Sequence, residues 1–194
     1  IKVNSIIVDK SQYTQSGIGS TTLNDGLNYG NYGYGLRVQD KDICLLSPDV
    51  TKIYGVFESN DISDPVLPEL TMIGLNGPTG RVDDLLLGEE FIGEESGAIG
   101  IYSEFVDSLN LGFVYLNELR FKIGERIKFL DSNINGIIQG FSDGSTNITN
   151  RYTLDSGQRE TICDYSRIIR NNNSGEPKRK LKIILLFTTV PENC

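Results

Sequence analysis

The stretches Leu87-Gly-Glu-Glu-Phe91 and Ile123-Gly-Glu-Arg-Ile127 decide the predicted fold, because the second repeats the pattern of the first 36 positions later. In each stretch an apolar residue precedes a Gly-Glu pair and another apolar residue follows it. Gly100-Ile101 recurs with the same spacing as Gly136-Ile137. Each copy is typical of strand, Gly-Glu turn, strand, polar turn and strand. The sequence therefore predicts a duplicated β-hairpin unit within one β domain.

Short strands are also predicted on both sides of the repeat. No segment has a sustained helical period, and the only helical candidate, Glu160–Arg170, is weak. The continuous apolar run near the C-terminus predicts a central strand that is covered on both faces. The sequence thus favours a mainly β protein with antiparallel, sandwich-like packing and Gly-rich loops. The predicted flanking strands are Val3–Asp9, Ile43–Leu46, Lys52–Glu58, Glu69–Ile73 and Lys180–Val190.

The chain is expected to have three parts. Residues 1–35 are a β-prone arm followed by a Gly/Tyr-rich loop, and residues 36–150 are a β domain that contains the repeat. Residues 151–194 are a hairpin corner and a C-terminal strand, expected to belong to the same fold. In that corner Asp155-Ser156-Gly157 predicts a turn, since Asp accepts a backbone hydrogen bond two residues on and Gly supplies a positive φ. Because the chain starts at Ile1 without a methionine, we also expect a portion of a longer polypeptide.

Composition excludes several classes of function. The 26 acidic residues outnumber the 18 basic ones, for a net charge of −8, which argues against a nucleic-acid binder. The sequence has no apolar run long enough to span a bilayer, so no membrane association is predicted. It contains no histidine, the commonest general base and metal ligand. Its cysteines, Cys44, Cys163 and Cys194, have no metal-site spacing and are expected to be unpaired, small buried residues.

Two acidic patterns are candidate chemical sites. Asp131-Ser-Asn-Ile-Asn-Gly136 matches the start of an EF-hand calcium loop, but Ser142 stands where the bidentate Glu belongs, so a β-turn is favoured. Glu89-Glu90 and Glu94-Glu95 offer paired carboxylates of the kind that glycosidases use, yet such pairs in hairpins are usually solvated turn charges. The sequence therefore predicts no catalytic residue, no metal, no cofactor and no enzymatic activity.

The candidate interaction residues are Tyr29, Tyr32 and Tyr34, which alternate with glycines in Tyr29–Gly35. Tyrosine buries a large area at little conformational cost, so the stretch is typical of a subunit-interface loop. The competing interpretation is that these tyrosines pack against their own domain.

Two further regions carry a family resemblance. Tyr152–Glu160 with Asp164–Ile168, and Arg37–Ile43 with Asp49–Ser59, resemble segments of large virion structural proteins of contractile-tailed phages, of the baseplate wedge or tail structural type. The resemblance covers roughly residues 35–170. It implies a structural component of the virion, assembled in the bacterial host cytoplasm, that connects other virion proteins in a symmetric homo- or hetero-oligomer.

Two alternatives to a tail or baseplate connector stay open. One is a receptor- or glycan-binding module of a tail fibre, favoured by the Tyr-rich loop. The other is a glycan hydrolase that uses the acidic turns.

Overall fold

The computed structural model describes residues 2–11, 25–158 and 164–187 and confirms the predicted mainly β, antiparallel fold. The chain divides into two compact units. We call residues 66–144 the barrel unit, and residues 3–65 together with 145–194 the split unit, since the chain completes it after leaving the barrel unit. The repeat, which the sequence predicts within a domain of residues 36–150, lies within the shorter barrel unit.

The barrel unit is a closed barrel of six strands, in which every neighbouring pair is antiparallel. Its interior holds an aromatic cluster in which Phe91 lies 5.0 Å from Phe129 and 5.8 Å from Phe113, centroid to centroid. Burying a phenylalanine contributes roughly 1.5–3 kcal/mol, so this cluster is a main source of the unit's stability. The strand order is β10-β11-β6-β9-β8-β7, with β6 Glu69–Ile73, β7 Glu90–Gly93, β8 Ile99–Phe105, β9 Asn110–Tyr115, β10 Arg126–Phe129 and β11 Asn135–Ser142.

The predicted duplication is present, and the two copies are related by a pseudo-two-fold axis. The axis passes between β7 and β10 at the pair formed by Ile92 and Lys128, which are equivalent positions of the two copies. The pairing register is the same whether it is followed from β7 or from β10. The hairpin turns match as well: the Gly93 amide donates to Ala98 at 2.9 Å, and the Phe129 amide donates to Ile134 at 2.8 Å. Both β8 and β11 also carry a β-bulge, after Tyr102 and Ile138 respectively.

The duplicated unit is larger than predicted, because each copy includes a third strand. β6 belongs to the first copy and β9 to the second, and they pair across the same axis with Leu70 opposite Leu111. The prediction that a strand directly precedes each Gly-Glu pair is wrong. Leu87 and Ile123 lie in loops, where their side chains are 55% and 64% exposed. The first of these loops is longer and contains the 3₁₀ helix Val82–Asp84.

The Gly-Ile pairs of the repeat are explained by packing. A Cβ atom at Gly100 would lie 2.6 Å from the Phe91 ring, and one at Gly136 would lie 2.7 Å from Leu75. Glycine therefore lets these strands lie close to the side chains beneath them, which a larger residue would force to shift.

The split unit contains three sheets, of which the two larger ones share one core. That core includes Val56 and Ile183 from the four-stranded sheet and Ile43 and Ile168 from the three-stranded sheet, so the predicted sandwich-like packing is found here. The four-stranded sheet has the order β1-β15-β5-β12, with β1 Lys2–Val8, β5 Val50–Glu58, β12 Thr146–Asn147 and β15 Leu181–Phe187. The others are β13-β14-β4, with β4 Asp42–Cys44, β13 Tyr152–Asp155 and β14 Arg167–Arg170, and the parallel pair β2 Lys10–Ser11 and β3 Asn28–Tyr29.

Two local predictions can be compared with these strands. The C-terminal apolar run forms the inner strand β15, and Leu181–Leu185 are all buried, as predicted. The helical candidate Glu160–Arg170 is wrong over its last residues, where β14 pairs with both β13 and β4. Residues 159–163 of that candidate lie outside the described residues.

Candidate functional site

The three candidate tyrosines lie in the split unit and differ in how they are held. Tyr29 is half-buried in β3, and burial, followed by a hydrogen bond to Asp25, raises its pKa to about 12. Tyr32 is half-buried, with the Lys10 ammonium 5.3 Å above its ring. Tyr34 is 63% exposed. Tyr34 is therefore the one of the three that presents most of its side chain to solvent.

A buried carboxylate fixes the loop that carries Tyr34. The Gly35 amide donates to Asp40 Oδ2 at 2.6 Å, and the Arg37 guanidinium forms an ion pair with Asp40 Oδ1 at 2.7 Å. Asp40 is only 2% exposed, and such charge-assisted bonds are strong when they are shielded from water. The loop is also joined to β4, because the Cys44 amide donates to the Gly35 carbonyl at 2.8 Å. The backbone on either side of the Tyr34 ring is thus held in place.

A second exposed tyrosine, Tyr165, lies beside Tyr34 and was not selected from the sequence. It is 58% exposed and follows the turn at Asp155–Gly157, where the Gly157 amide donates to Asp155 as predicted. The next residue, Ser166, is fully buried and accepts a hydrogen bond from the Val50 amide at 3.0 Å. Sequence reasoning missed Tyr165 because it is far from Tyr34 along the chain, and only the fold brings the two together.

Tyr34 and Tyr165 line a shallow pocket of about 170 Å³, which we call the Tyr34–Tyr165 pocket. In its lining Arg167 Nη1 lies 4.0 Å from Asp42 Oδ2, beyond hydrogen-bonding distance. Arg167 is oriented from the other side, since its Nε donates to Asp155 Oδ2 at 3.0 Å. The pocket therefore combines two aromatic rings with one guanidinium donor and two carboxylates, Asp42 and Asp164. Its lining is Tyr34, Gly35, Asp42, Cys44, Asp164, Tyr165 and Arg167.

The cysteine of this lining is the only one within the described residues. Cys44 is unpaired and half-buried, so it is less enclosed than the fully buried residue that was predicted. Cys163 and Cys194 lie outside the described residues.

A larger cavity of about 270 Å³ lies between the two main sheets of the split unit. Its threonine hydroxyl groups are already used within the protein. Thr149 Oγ1 accepts from the Val56 amide at 2.9 Å, and Thr153 Oγ1 donates to Asn171 at 2.9 Å. The Tyr152 hydroxyl, which also lines this cavity, is buried without a hydrogen-bond partner among the described residues, and burial raises its pKa to about 12.

The acidic residues of the barrel unit act in its structure, and the prediction that Glu89 is a solvated turn charge is wrong. Glu89 is 1% exposed; its carboxylate accepts from the Leu86 amide at 2.7 Å and from the Ser132 amide at 2.9 Å. Ser132 belongs to the hairpin turn of the second copy. This carboxylate thus joins the two copies, and its hydrogen bonds explain why it can be buried.

Glu125 makes the reciprocal contacts. It is 1% exposed, and its carboxylate accepts from the Lys122 amide at 2.5 Å and from the Ser96 amide at 3.0 Å, in the turn of the first copy. Burial alone would raise the pKa of Glu125, but hydrogen bonds from Lys122, Ser96 and Glu95 outweigh it and lower the pKa. We call Glu89 and Glu125 the carboxylate clamps.

The calcium-loop match lies in the turn between β10 and β11. Its Asn133 has a positive φ of 57°, and the Asn135 amide donates to Asn76 Oδ1 at 2.7 Å. Within residues 2–11, 25–158 and 164–187, no group of three or more His, Cys, Asp and Glu side chains is placed to hold a metal ion. The barrel's own hydrogen bonds thus hold the backbone of the turn, whereas Asn135 Oδ1 is buried without a hydrogen-bond partner among the described residues.

Comparison of this chain with protein-family models, with curated proteins and with solved structures finds no match. In the part of the chain that the structure describes, no helix is long and apolar enough to cross a membrane.

Proposed function

We propose that this protein is a structural component of a tailed-phage virion, acting as a tail or baseplate connector through contacts with other subunits. The resemblance to virion structural proteins supports this proposal. The stretches that carry it include β4, β5, β13 and β14, and β4, β13 and β14 form a single sheet of the split unit.

The observation that carries the proposal is the edge strand β1. It ends the four-stranded sheet, and among the described residues no further strand lies beyond it. β1 is seven residues long, whereas β12 at the opposite edge has only two. Proteins usually protect long edge strands with charges, prolines or bulges, because unpaired backbone groups attract another strand.

The sequence of β1 lacks such protection. It reads Lys-Val-Asn-Ser-Ile-Ile-Val, with its only charge at the first position and no proline. Asn4 and Ser5 are exposed, and Ile7 is 38% exposed. An extended segment of a neighbouring virion protein can add to this edge through main-chain hydrogen bonds, while the side chains of β1 set the register.

The proposal is tested first on native particles. Mass spectrometry of purified virions should detect peptides of this sequence, at a fixed multiple per tail set by the symmetry of the assembly. Recovery of the chain only as a soluble monomer that is missing from particles would overturn the proposal.

The edge itself is tested with Ile7→Lys. A lysine on an edge strand disfavours strand addition, so we expect incorporation into particles to fall at least about tenfold, with little change in thermal unfolding. The matched control is Ile62→Lys, at a position 49% exposed in a loop of the same unit. Equal incorporation of both variants would contradict a role for β1.

A further inference from the structure

The Tyr34–Tyr165 pocket has a preformed aromatic rim. Tyr34 and Tyr165 are 63% and 58% exposed, yet the backbone beside each ring is fixed. The Tyr34 hydroxyl accepts from the Asp42 amide at 3.3 Å, and the Tyr165 amide donates to Asp164 Oδ1 at 2.8 Å. The Tyr34 ring is therefore exposed but already oriented, and such a ring binds a ligand with little further loss of conformational entropy.

Arg167 and Asp42, which line the same pocket, form a long ion pair. Their closest nitrogen and oxygen atoms are 4.0 Å apart, and their side chains are 37% and 30% exposed. A guanidinium only donates hydrogen bonds and an ionised carboxylate only accepts them. A ligand group that bridges the two atoms from the solvent side must therefore accept from Arg167 and donate to Asp42. A hydroxyl group does both, and two neighbouring hydroxyl groups can engage both residues at once.

The charges around the pocket disfavour an ionic ligand. An anion attracted to Arg167 would meet two carboxylates, Asp42 and Asp164. A cation would meet Arg167 and also the Arg37 guanidinium, which lies 5.8 Å from the centroid of the Tyr34 ring. A neutral ligand avoids both penalties. The two tyrosine rings additionally favour a ligand that has an apolar face, since tyrosine rings bind through contact area as well as through their hydroxyl groups.

We infer that this pocket binds a neutral saccharide, with one sugar ring held between Tyr34 and Tyr165 and adjacent hydroxyl groups bound by Arg167 and Asp42. A pyranose offers both features, since its C–H groups form an apolar face and its hydroxyl groups lie at the edge. The pocket volume of about 170 Å³ accommodates one such ring and leaves the rest of an oligosaccharide in solvent. This site goes beyond the proposed virion role and does not depend on it.

The test uses the full chain and a panel of immobilised neutral oligosaccharides of glucose, galactose, mannose and N-acetylglucosamine. Sugars that are retained are then titrated in solution against ¹⁵N-labelled protein. We expect saturable shifts in amide resonances confined to residues 34–44 and 164–167. Tyr34→Ala and Tyr165→Ala should each weaken binding at least about tenfold, the effect of truncating an aromatic anchor.

Further variants separate stacking from hydrogen bonding. Tyr165→Phe keeps the ring and should bind as the wild type does, whereas Asp42→Asn should bind several-fold more weakly because the charged acceptor is lost. Phe141→Ala is the matched control, since Phe141 is an aromatic residue of the barrel unit that is 48% exposed. It should leave binding unchanged.

Three results would overturn the inference. One is that no neutral sugar on the panel binds at millimolar concentration. Another is that both tyrosine-to-alanine variants bind as tightly as the wild type. The third is that lysine methyl ester or inorganic sulfate shifts the same amides more strongly than the neutral sugars do. None of these results bears on whether the chain is found in virions.

Discussion

At the scale of single residues, the carboxylate clamps show how the fold changes the character of a side chain. A Gly-Glu-Glu sequence predicts solvated charge because nothing local contradicts it. Besides an amide three residues away, Glu89 and Glu125 each bind an amide 43 or 29 residues away, in the turn of the other copy. The sequence reveals the Gly-Glu pair itself, but burial of the carboxylate becomes visible only when the two copies are placed around their axis.

The first prediction concerns Glu125→Gln. The amide cannot accept charge-assisted hydrogen bonds from two sides, so at pH 7 we expect a loss of about 1–3 kcal/mol in the free energy of unfolding. The pKa of Glu125 is lowered below the ordinary value of 4.5, so the stability contributed by its ionised form is present above that pH. This stability is lost as the pH falls through the pKa of the folded state. Urea unfolding at several pH values should therefore show the deficit of the variant shrinking below pH 4.5.

The control for this prediction is Glu94→Gln, because Glu94 is exposed in the neighbouring turn. We expect its free energy of unfolding to stay within about 0.5 kcal/mol of the wild type. A Glu125→Gln deficit that is zero at pH 7, or that stays constant into acid, would show that the clamp contributes nothing through its charge.

At the scale of elements, the two Gly-Glu turns start equivalent strands. Gly88 and Gly124 have φ values of 92° and 88°, and their amides donate to Tyr102 and Ile138 at 2.7 Å and 2.8 Å. Each glycine thus adopts a left-handed backbone conformation, which brings the chain into hydrogen-bonding position beside β8 or β11. This conformational requirement explains why the motif can be recognised in the sequence.

The closing strands of the barrel could not be matched in the same way. β6 starts at Glu69 and β9 at Asn110, so their spacing differs from that of the other strands because the loop after β6 is longer. Of the equivalent positions in these two strands, only the pair at the axis, Leu70 and Leu111, has the same residue type in both copies. A search at one fixed spacing therefore finds the hairpins and misses the strands that close the barrel.

A second prediction tests the Gly-Glu turn through Gly124→Ala. A Cβ atom at Gly124 would meet nothing within 4 Å, so the cost of alanine comes from the positive φ alone. We expect a destabilisation of about 1–2 kcal/mol in chemical denaturation. Gly140→Ala is the matched control, since its Cβ also meets nothing within 4 Å and its φ is not positive. If both variants are equally stable, the turn does not need its glycine.

At the scale of the whole molecule, the chain enters and leaves the barrel unit at one place. A Cβ atom at Gly144 would lie 2.4 Å from the Pro68 nitrogen, so the two ends of this unit are in contact. The boundary at residues 65 and 145 was not visible in the sequence, because both units consist of short strands and composition does not change there. Adjacent ends and a separate core are the usual properties of a domain inserted into another domain.

The third prediction follows from this domain organisation. Residues 66–144, produced alone, should fold, because their core is internal and the closed barrel leaves none of its strands unpaired at an edge. We expect a β-type circular dichroism spectrum and one cooperative urea transition. Phe113→Ala in the same fragment should abolish that transition, since removing a buried phenylalanine costs about 3–5 kcal/mol. A fragment without cooperative unfolding would show that the barrel unit depends on the rest of the chain.

The pseudo-two-fold axis also has a consequence for descent. Two halves with the same register, bulges and clamps indicate one ancestral gene that was doubled and fused. Since then the halves have diverged in their surroundings: Ile101 and Val114 are 1% exposed, whereas their counterparts Ile137 and Ile73 are 36% and 41% exposed. Before the fusion, a chain with only one half could close this barrel only as a homodimer, with the second half supplied by an identical chain.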